Sequence, residues 1–258
     1  MTTSYQLSTQ QLGQYREQGF YLYPGLFRQD EVQKLIRFAQ SDQKMADNTT
    51  GRKDAEGNQT KLSLWNDPPE NLFGQFSRSP RLVNVASQIL EEEVYHYHSK
   101  MMLKEAKTGG AWEWHQDYGY WYNYGCLYPR LVSCLIALDR ADRSNGCLQV
   151  IPGTQKMGRI DHGKTGEQTG ADMERVDAAL QQQPIHYVEA EPGDVLFFDC
   201  NLLHRSDANR SERSRWSLIC CYNARSNSPY KESRHPTYQP LEVSSDQELA
   251  AALASVPL

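Results

Sequence analysis

The 258-residue chain has no apolar run near the roughly 20 residues needed to cross a bilayer. Its opening stretch, MTTSYQLSTQQ, lacks the basic and apolar regions of a secretory signal. Basic residues are scattered, with no basic run, and the formal net charge is −5, so nothing favours a nucleic-acid partner. Six cysteines occur (Cys126, Cys134, Cys147, Cys200, Cys220 and Cys221), but no C-x-x-C pair. That argues against a zinc knuckle or a thioredoxin-type motif. Most of them sit in apolar strand-like runs, the pattern of reduced, buried thiols in a cytoplasmic protein. Internal repeats and low-complexity tracts are also missing. With 39% hydrophobic residues the chain can bury a substantial core, and one domain is the economical organisation.

Residues 1–92 read as a helical buttress. Ser8 and Gln11 form a capping box, Leu7 can staple onto Leu12, and Gly19 ends the first helix. "FYLYPGLF" (20–27) is a strand or an extended connection. Val32, Leu35, Ile36 and Ala39 make one face of a helix over 29–40. Ser79-Pro80 opens another, with Leu82, Val85, Ala86, Ile89 and Leu90 on its apolar face. Between them, 41–71 is polar and reads either as a surface loop or as a lid. From about residue 93 to 225 the period changes to two, with strands expected at 94–104, 112–118, 131–138, 147–151, 185–190, 194–200 and 215–222. Gly146, Pro152, Gly153, Pro192 and Gly193 read as turn residues between them. A polar insertion from 158 ends in a short helix after Asp172, and 226–258 is a C-terminal extension. The fold class is mainly β with flanking helices, a sandwich or jelly roll.

Chemistry concentrates in "WEWHQDYGYWYNYG" (112–125). On a strand, residues two apart share a face, so His115 and Asp117 can meet one ion. Of seven histidines, His204 is placed to complete the set, where the apolar run "GDVLFFDCNLL" reaches a polar end. Two imidazoles and a carboxylate are the facial triad of non-haem Fe(II) oxygenases, with open positions for a bidentate co-substrate and O₂. If that co-substrate is 2-oxoglutarate, its far carboxylate needs a fixed cation. Arg205, Arg210, Arg213 and Arg215 follow His204, and only Arg215 opens an apolar run, "RWSLICCY". Ser206 shares a strand face with His204 and could donate to the same carboxylate.

The order "WHQD", "NGCLQVIPGT", "EPGDVLFFDCNLLHRS", "RWSLICCYN" resembles the phytanoyl-CoA dioxygenase family of Fe(II)/2-oxoglutarate oxygenases, over roughly residues 8–225. The resemblance implies a double-stranded β-helix. It implies iron held by His115, Asp117 and His204, and 2-oxoglutarate held by Arg215 and Ser206. It also implies consumption of O₂ with release of succinate and CO₂. The carboxylate at 117 stands where related halogenases have a small residue, which favours hydroxylation. His96, His98, Lys100, Met102 and Lys104 share one face of the 94–104 strand. His98 falls near a polar residue that touches 2-oxoglutarate in ectoine hydroxylase, where the family has Gln.

Tyr118, Tyr120 and Trp121 are the candidate substrate contacts within the aromatic run, part of which core packing also explains. Arg159, His162, Lys164 and Glu167 of the insertion could bind a polar group or stand as solvated charges. The substrate is expected to be a small polar metabolite. A non-catalytic ligand-binding β-sandwich and a zinc hydrolase are the competing functions.

Overall fold

The computed structural model describes residues 5–54, 56–165 and 167–256. The extreme ends of the expected buttress and extension, together with Ala55 and Gly166 in the two polar stretches, fall outside the described residues. The elements are, in order, α1 (Thr9–Gln18), β1 (Phe20–Tyr23), α2 (Gln29–Ser41), α3 (Gln43–Asn48), β2 (Thr49–Lys53), β3 (Gln59–Trp65), α4 (Leu72–Ser77) and α5 (Pro80–Leu90). There follow β4 (Val94–Lys104), β5 (Trp112–His115), α6 (Asp117–Trp121), β6 (Leu131–Ala137), β7 (Leu148–Val150), β8 (His162–Thr165), β9 (Gln168–Ala171) and α7 (Met173–Gln182). The chain ends with β10 (His186–Val188), β11 (Val195–Asp199), β12 (His204–Ser206), β13 (Arg215–Ala224) and α8 (Asp246–Ala254).

The helix signals act locally as read. Ser8 and Gln11 close a reciprocal capping box on α1, and Gly19 ends it in the left-handed region at φ 85°. Ser79 caps α5 with Pro80 at its first turn, and Asp172 caps α7. Two antiparallel sheets face each other as a jelly roll. The larger runs β1-β11-β6-β13-β4-β3-β2 and the smaller β10-β7-β12-β5. Helices cover the outer face of the large sheet, where Val32, Leu35, Phe76, Leu82 and Val85 pack on Ile136, Phe197, Leu218 and Tyr222. The inner core holds Phe20, Leu135, Leu196, Phe198 and Ile219 against Val150 and Val188.

Three expectations are corrected. The polar stretch 41–71 is largely ordered structure, because β2 and β3 form a hairpin that pairs with β4 and extends the large sheet. Its buried positions are hydroxyls, Thr60 and Ser63, so hydropathy gave no period. Thr60 donates to the Gly110 carbonyl at 2.6 Å and Ser63 accepts from Asn48 at 3.1 Å. Second, residues 158–172 are not loop throughout, since β8 and β9 make a separate hairpin. Third, His96 does not share the face of His98. Cys221 pairs with His98 and Tyr222 with His96, leaving Tyr97 as a bulge. The extra residue turns His96 outward, where its ring meets the Asn66 carbonyl and Ser99.

A buried ion pair ties the chain's two ends together. Arg81 of α5 donates to Glu31 of α2 at 2.7 Å and to Asp246 of α8 at 2.8 Å. Glu31 is 2% exposed. Truncating Arg81 leaves that carboxylate only the backbone N–H and the exposed guanidinium of Arg28, a change that costs about 3 kcal/mol. Arg81→Ala is therefore expected to lower the urea midpoint strongly, and Asp246→Asn, at a half-exposed partner, much less; equal effects in urea titration would contradict this ranking.

Candidate metal centre and its two cavities

His115 ends β5, His204 begins β12, and the two are direct cross-strand partners. Their ring centroids lie 4.0 Å apart. Each Nδ1 donates to a backbone carbonyl two residues back, His115 to Glu113 at 2.7 Å and His204 to Leu202 at 2.9 Å. Those bonds fix the tautomer and leave both Nε2 lone pairs free. The Nε2 atoms stand 3.9 and 4.0 Å from Asp117 Oδ1. The three side chains are buried, and their ligand atoms lie within 4.8 Å of one another.

Asp117 reaches this point by a route the sequence did not suggest. The expected strand 112–118 stops at His115, and Asp117 is the first residue of the short helix α6. Gln116 between them is fully buried and acts as a peg. Its amide donates to the carbonyls of Gly158 and Asn201, both at 2.7 Å, and accepts from Ile160 N. Its backbone N–H goes to His162 Nε2 at 2.9 Å instead of to a strand partner, so the ladder ends there. Gly119 lets the helix approach that ring, since a Cβ would lie 2.1 Å from His162 Cε1. The remaining oxygen of Asp117 accepts from Ser133 of β6 at 2.6 Å.

Electrostatics suit a cation. Burial, aided by His204, pushes His115 well below the ordinary imidazole value. Burial also lowers His204, against the pull of Asp117. Burial alone would raise Asp117, but Lys100, His204 and the Ser133 hydroxyl outweigh it and hold the carboxyl low. Two neutral imidazoles and one carboxylate are a donor set that fits Fe(II).

A narrow inner cavity of about 40 Å³ adjoins the triad, lined by Arg215, Ser206 and Ser217 with His115 and His204. Arg215 is 5% exposed, and its Nε has no partner among the described residues. Burial drops its pKa to about 10. Lys104, opposite Arg215 in the β4–β13 ladder, is fully buried and donates to Ser206 Oγ at 2.9 Å. Burial, then Arg215, pushes Lys104 well below the usual lysine value. A buried guanidinium with no carboxylate among its hydrogen-bond partners, beside a Ser206 hydroxyl held by Lys104, fits the far end of a dicarboxylate such as 2-oxoglutarate.

On the other side of the triad a wider cleft of about 470 Å³ opens outward. Tyr120 and Trp121, two of the three candidate substrate contacts, line it. Tyr118 does not: it points into the core, and its hydroxyl donates to the Leu127 carbonyl at 2.7 Å. The helical turn at 117–121, in place of a continued strand, explains why Tyr120 and Trp121 point differently from Tyr118. His98 lines this outer cleft rather than the inner cavity, beside Trp121 and His235. Of the four insertion residues, Glu167 lines the cleft. His162 supports Gln116, Arg159 pairs with Asp161 at 2.7 Å, and Lys164 is exposed. Sequence reasoning missed Gln116, Ser133 and His235 entirely. Lys100 and Lys104 were visible as inward positions of a period-two strand but carried no role.

Triad, jelly roll and the buried Arg215 of the inner cavity are the parts of a 2-oxoglutarate-dependent iron dioxygenase. The chain belongs to the phytanoyl-CoA dioxygenase (PhyH) family, whose model matches residues 15–217. It is 29% identical over 238 residues to an ectoine dioxygenase of Bordetella bronchiseptica, covering 86% of this chain and 77% of that one. It is 32% identical over 193 residues to an L-proline trans-4-hydroxylase of Streptomyces griseoviridis, covering 69% and 70%. Its fold is that of EctD from S. alaskensis, solved with 2-oxoglutarate and 5-hydroxyectoine, at a TM-score of 0.78 and 24% identity over 93% of this chain and 88% of that one. The carbocyclase SnoK of nogalamycin biosynthesis has a TM-score of 0.70 at 21% identity, over 90% of this chain and 97% of that one.

Two outcomes follow from the geometry. Ser133→Ala removes the bond that orients Asp117 and is expected to weaken Fe(II) binding about tenfold in anaerobic titration; an unchanged affinity would contradict that role. Because both imidazole pKa values are depressed, the ligands stay neutral as pH falls past the ordinary histidine value. Iron binding should therefore persist below about pH 6.5 and fail only on further acidification. A midpoint at or above that value would refute the depression.

Proposed function

We propose that the chain hydroxylates an unactivated C–H of a small-molecule metabolite, with His115, Asp117 and His204 as the iron ligands. Arg215 and Ser206 take the far carboxylate of 2-oxoglutarate. The observation that carries this reading is the buried guanidinium of Arg215 facing the same cavity as both histidines, with its Nε unpartnered among the described residues. When bound, iron supplies O₂ activation coupled to decarboxylation of 2-oxoglutarate, yielding succinate and CO₂. The protein's part is positioning. Glu113 and Leu202 carbonyls present the two imidazoles, Ser133 presents the carboxylate, and Lys104 holds the Ser206 hydroxyl. No general base is called for. Tyr120 and Trp121 border the substrate, and His98 lines the same cleft.

The chain reads as a single domain. Residues up to about 92 buttress it and add three strands, 93–225 form the core, and the extension from 226 borders the outer cleft. Residues of the β2–β3 and β8–β9 hairpins line that cleft. A cytoplasmic location is supported by six free, buried cysteines. No helix among the described residues is long and apolar enough to cross a membrane.

Anaerobic addition of Fe(II) and 2-oxoglutarate should produce the visible charge-transfer band of the chelate, absent in His115→Ala. A wild-type chain with no band would end the oxygenase reading. Arg215→Ala is expected to raise the Kd for 2-oxoglutarate at least about thirtyfold while iron affinity stays within a few-fold. Equal loss of both would overturn the role of Arg215.

A further inference from the structure

Strand β5, which carries His115, lies at the edge of the small sheet and pairs there with β12. An edge strand presents backbone groups with no ladder partner. Side chains of the β8–β9 hairpin take three of them. Gln168 accepts from the Glu113 N–H at 3.0 Å and donates to the Ala111 carbonyl at 3.0 Å. Glu113 is the residue whose carbonyl orients the His115 ring. His162 accepts from the N–H of Gln116, the residue between His115 and Asp117, at 2.9 Å. Its Nδ1 donates to the Ile160 carbonyl at 2.8 Å, which leaves Nε2 as the acceptor that the Gln116 N–H needs. The Ile160 N–H in turn reaches Gln116 Oε1 at 2.7 Å. Residues 160–162 thus grip Gln116 by its backbone and by its side chain. The His162 ring also lies against Gly119 in the first turn of α6, where an added Cβ would stand 2.1 Å from Cε1.

We propose that His162 is a positioning residue for the iron site, acting through Gln116. On a continuing strand the Asp117 backbone would stand roughly 6.6 Å beyond that of His115. Here a helical turn begins at Asp117 and brings its Oδ1 to 3.9 Å from His115 Nε2. His162 occupies the N–H that a longer ladder would use and packs on the turn that replaces it. It thereby fixes the break between strand and helix that aims both side chains at one ion. Without an acceptor at this point the Gln116 N–H turns to water, and the angle between the His115 imidazole and the Asp117 carboxylate loosens. The β8–β9 hairpin, a separate two-stranded sheet, is thus part of the metal centre and not only a wall of the cleft. The inference rests on His115, Asp117 and His204 being the iron ligands.

The test compares two polar replacements of this half-buried side chain. His162→Gln can place an amide oxygen where Nε2 stands, and so keeps an acceptor for Gln116. His162→Asn places its amide near Nδ1, keeps the Ile160 contact and cannot reach the Gln116 N–H. Each full-length variant is titrated anaerobically with Fe(II), and with Co(II), whose visible spectrum reports ligand geometry; urea unfolding of the metal-free chain reads stability separately. His162→Gln is expected to hold Fe(II) within about threefold of the wild type with an unchanged Co(II) spectrum. His162→Asn should weaken Fe(II) about tenfold and alter that spectrum. Gly119→Ala, which displaces the ring without changing its chemistry, should match His162→Asn. Equal metal affinity and spectra in the Asn and Gln variants would overturn the role, as would a lower urea midpoint with metal binding untouched in all three. A wild-type chain that binds neither metal overturns the triad assignment itself, and this role with it.

Discussion

One cross-strand register carries the site. His204 sits opposite His115 where β12 meets β5, in the sheet that faces the large one across the inner core. Side chains alternate faces along a strand, so a slip of one residue would send His204 and Ser206 outward and present Arg205 instead. The neighbouring β7 pairing, Val150 opposite His204 and Leu148 opposite Ser206, holds the same register from the other side with apolar partners. Asp117, though on a helix, is bound to that register too. It follows His115 by two residues, and its oxygen is fixed by Ser133 on the opposite sheet. The triad thus closes across the jelly roll, with two ligands carried by the small sheet and the third held by the large one.

Much of this was legible in the residues, for identifiable reasons. From His98 to Lys104, β4 pairs with β13 without interruption, so the inward positions of that part could be read directly from a period of two. Capping signals at Ser8, Ser79 and Asp172 are local chemistry and acted locally. What failed depended on contacts distant in sequence. Nothing near Gln116 announces that Gly158, Ile160, His162 and Asn201 will surround it and end the strand. The β2–β3 hairpin hides its period because hydroxyls occupy its buried positions. The Tyr97 bulge shows only in the pairing with β13, and it moved His96 to the wrong side of the sheet for the site. Arg234 and His235 lie in a stretch with no periodic signal, and only the fold brings them to the cleft.

The inner cavity concentrates an electrostatic cost. Arg215 and Lys104 are buried side by side, and burial opposes the charge on both. A dicarboxylate that binds the folded chain and not the unfolded one returns stability by mass action. The co-substrate is therefore also a folding ligand, and the apo-protein is the less stable form in the same way that other preorganised sites trade stability for function.

The C-terminal extension has a further consequence. It leaves β13 at Ala224, passes the cleft at Arg234 and His235, and is fastened again at α8 through Asp246 and Arg81. Both ends are moored to the scaffold while the middle borders the cleft. Between those moorings it is stitched down at Tyr230, whose N–H reaches the Gly125 carbonyl, and at Tyr238, whose hydroxyl reaches Glu93. The architecture thus assigns the ligand candidates to paired strands and one wall of the cleft to a strap, so the shape of that wall is set separately from the strand register.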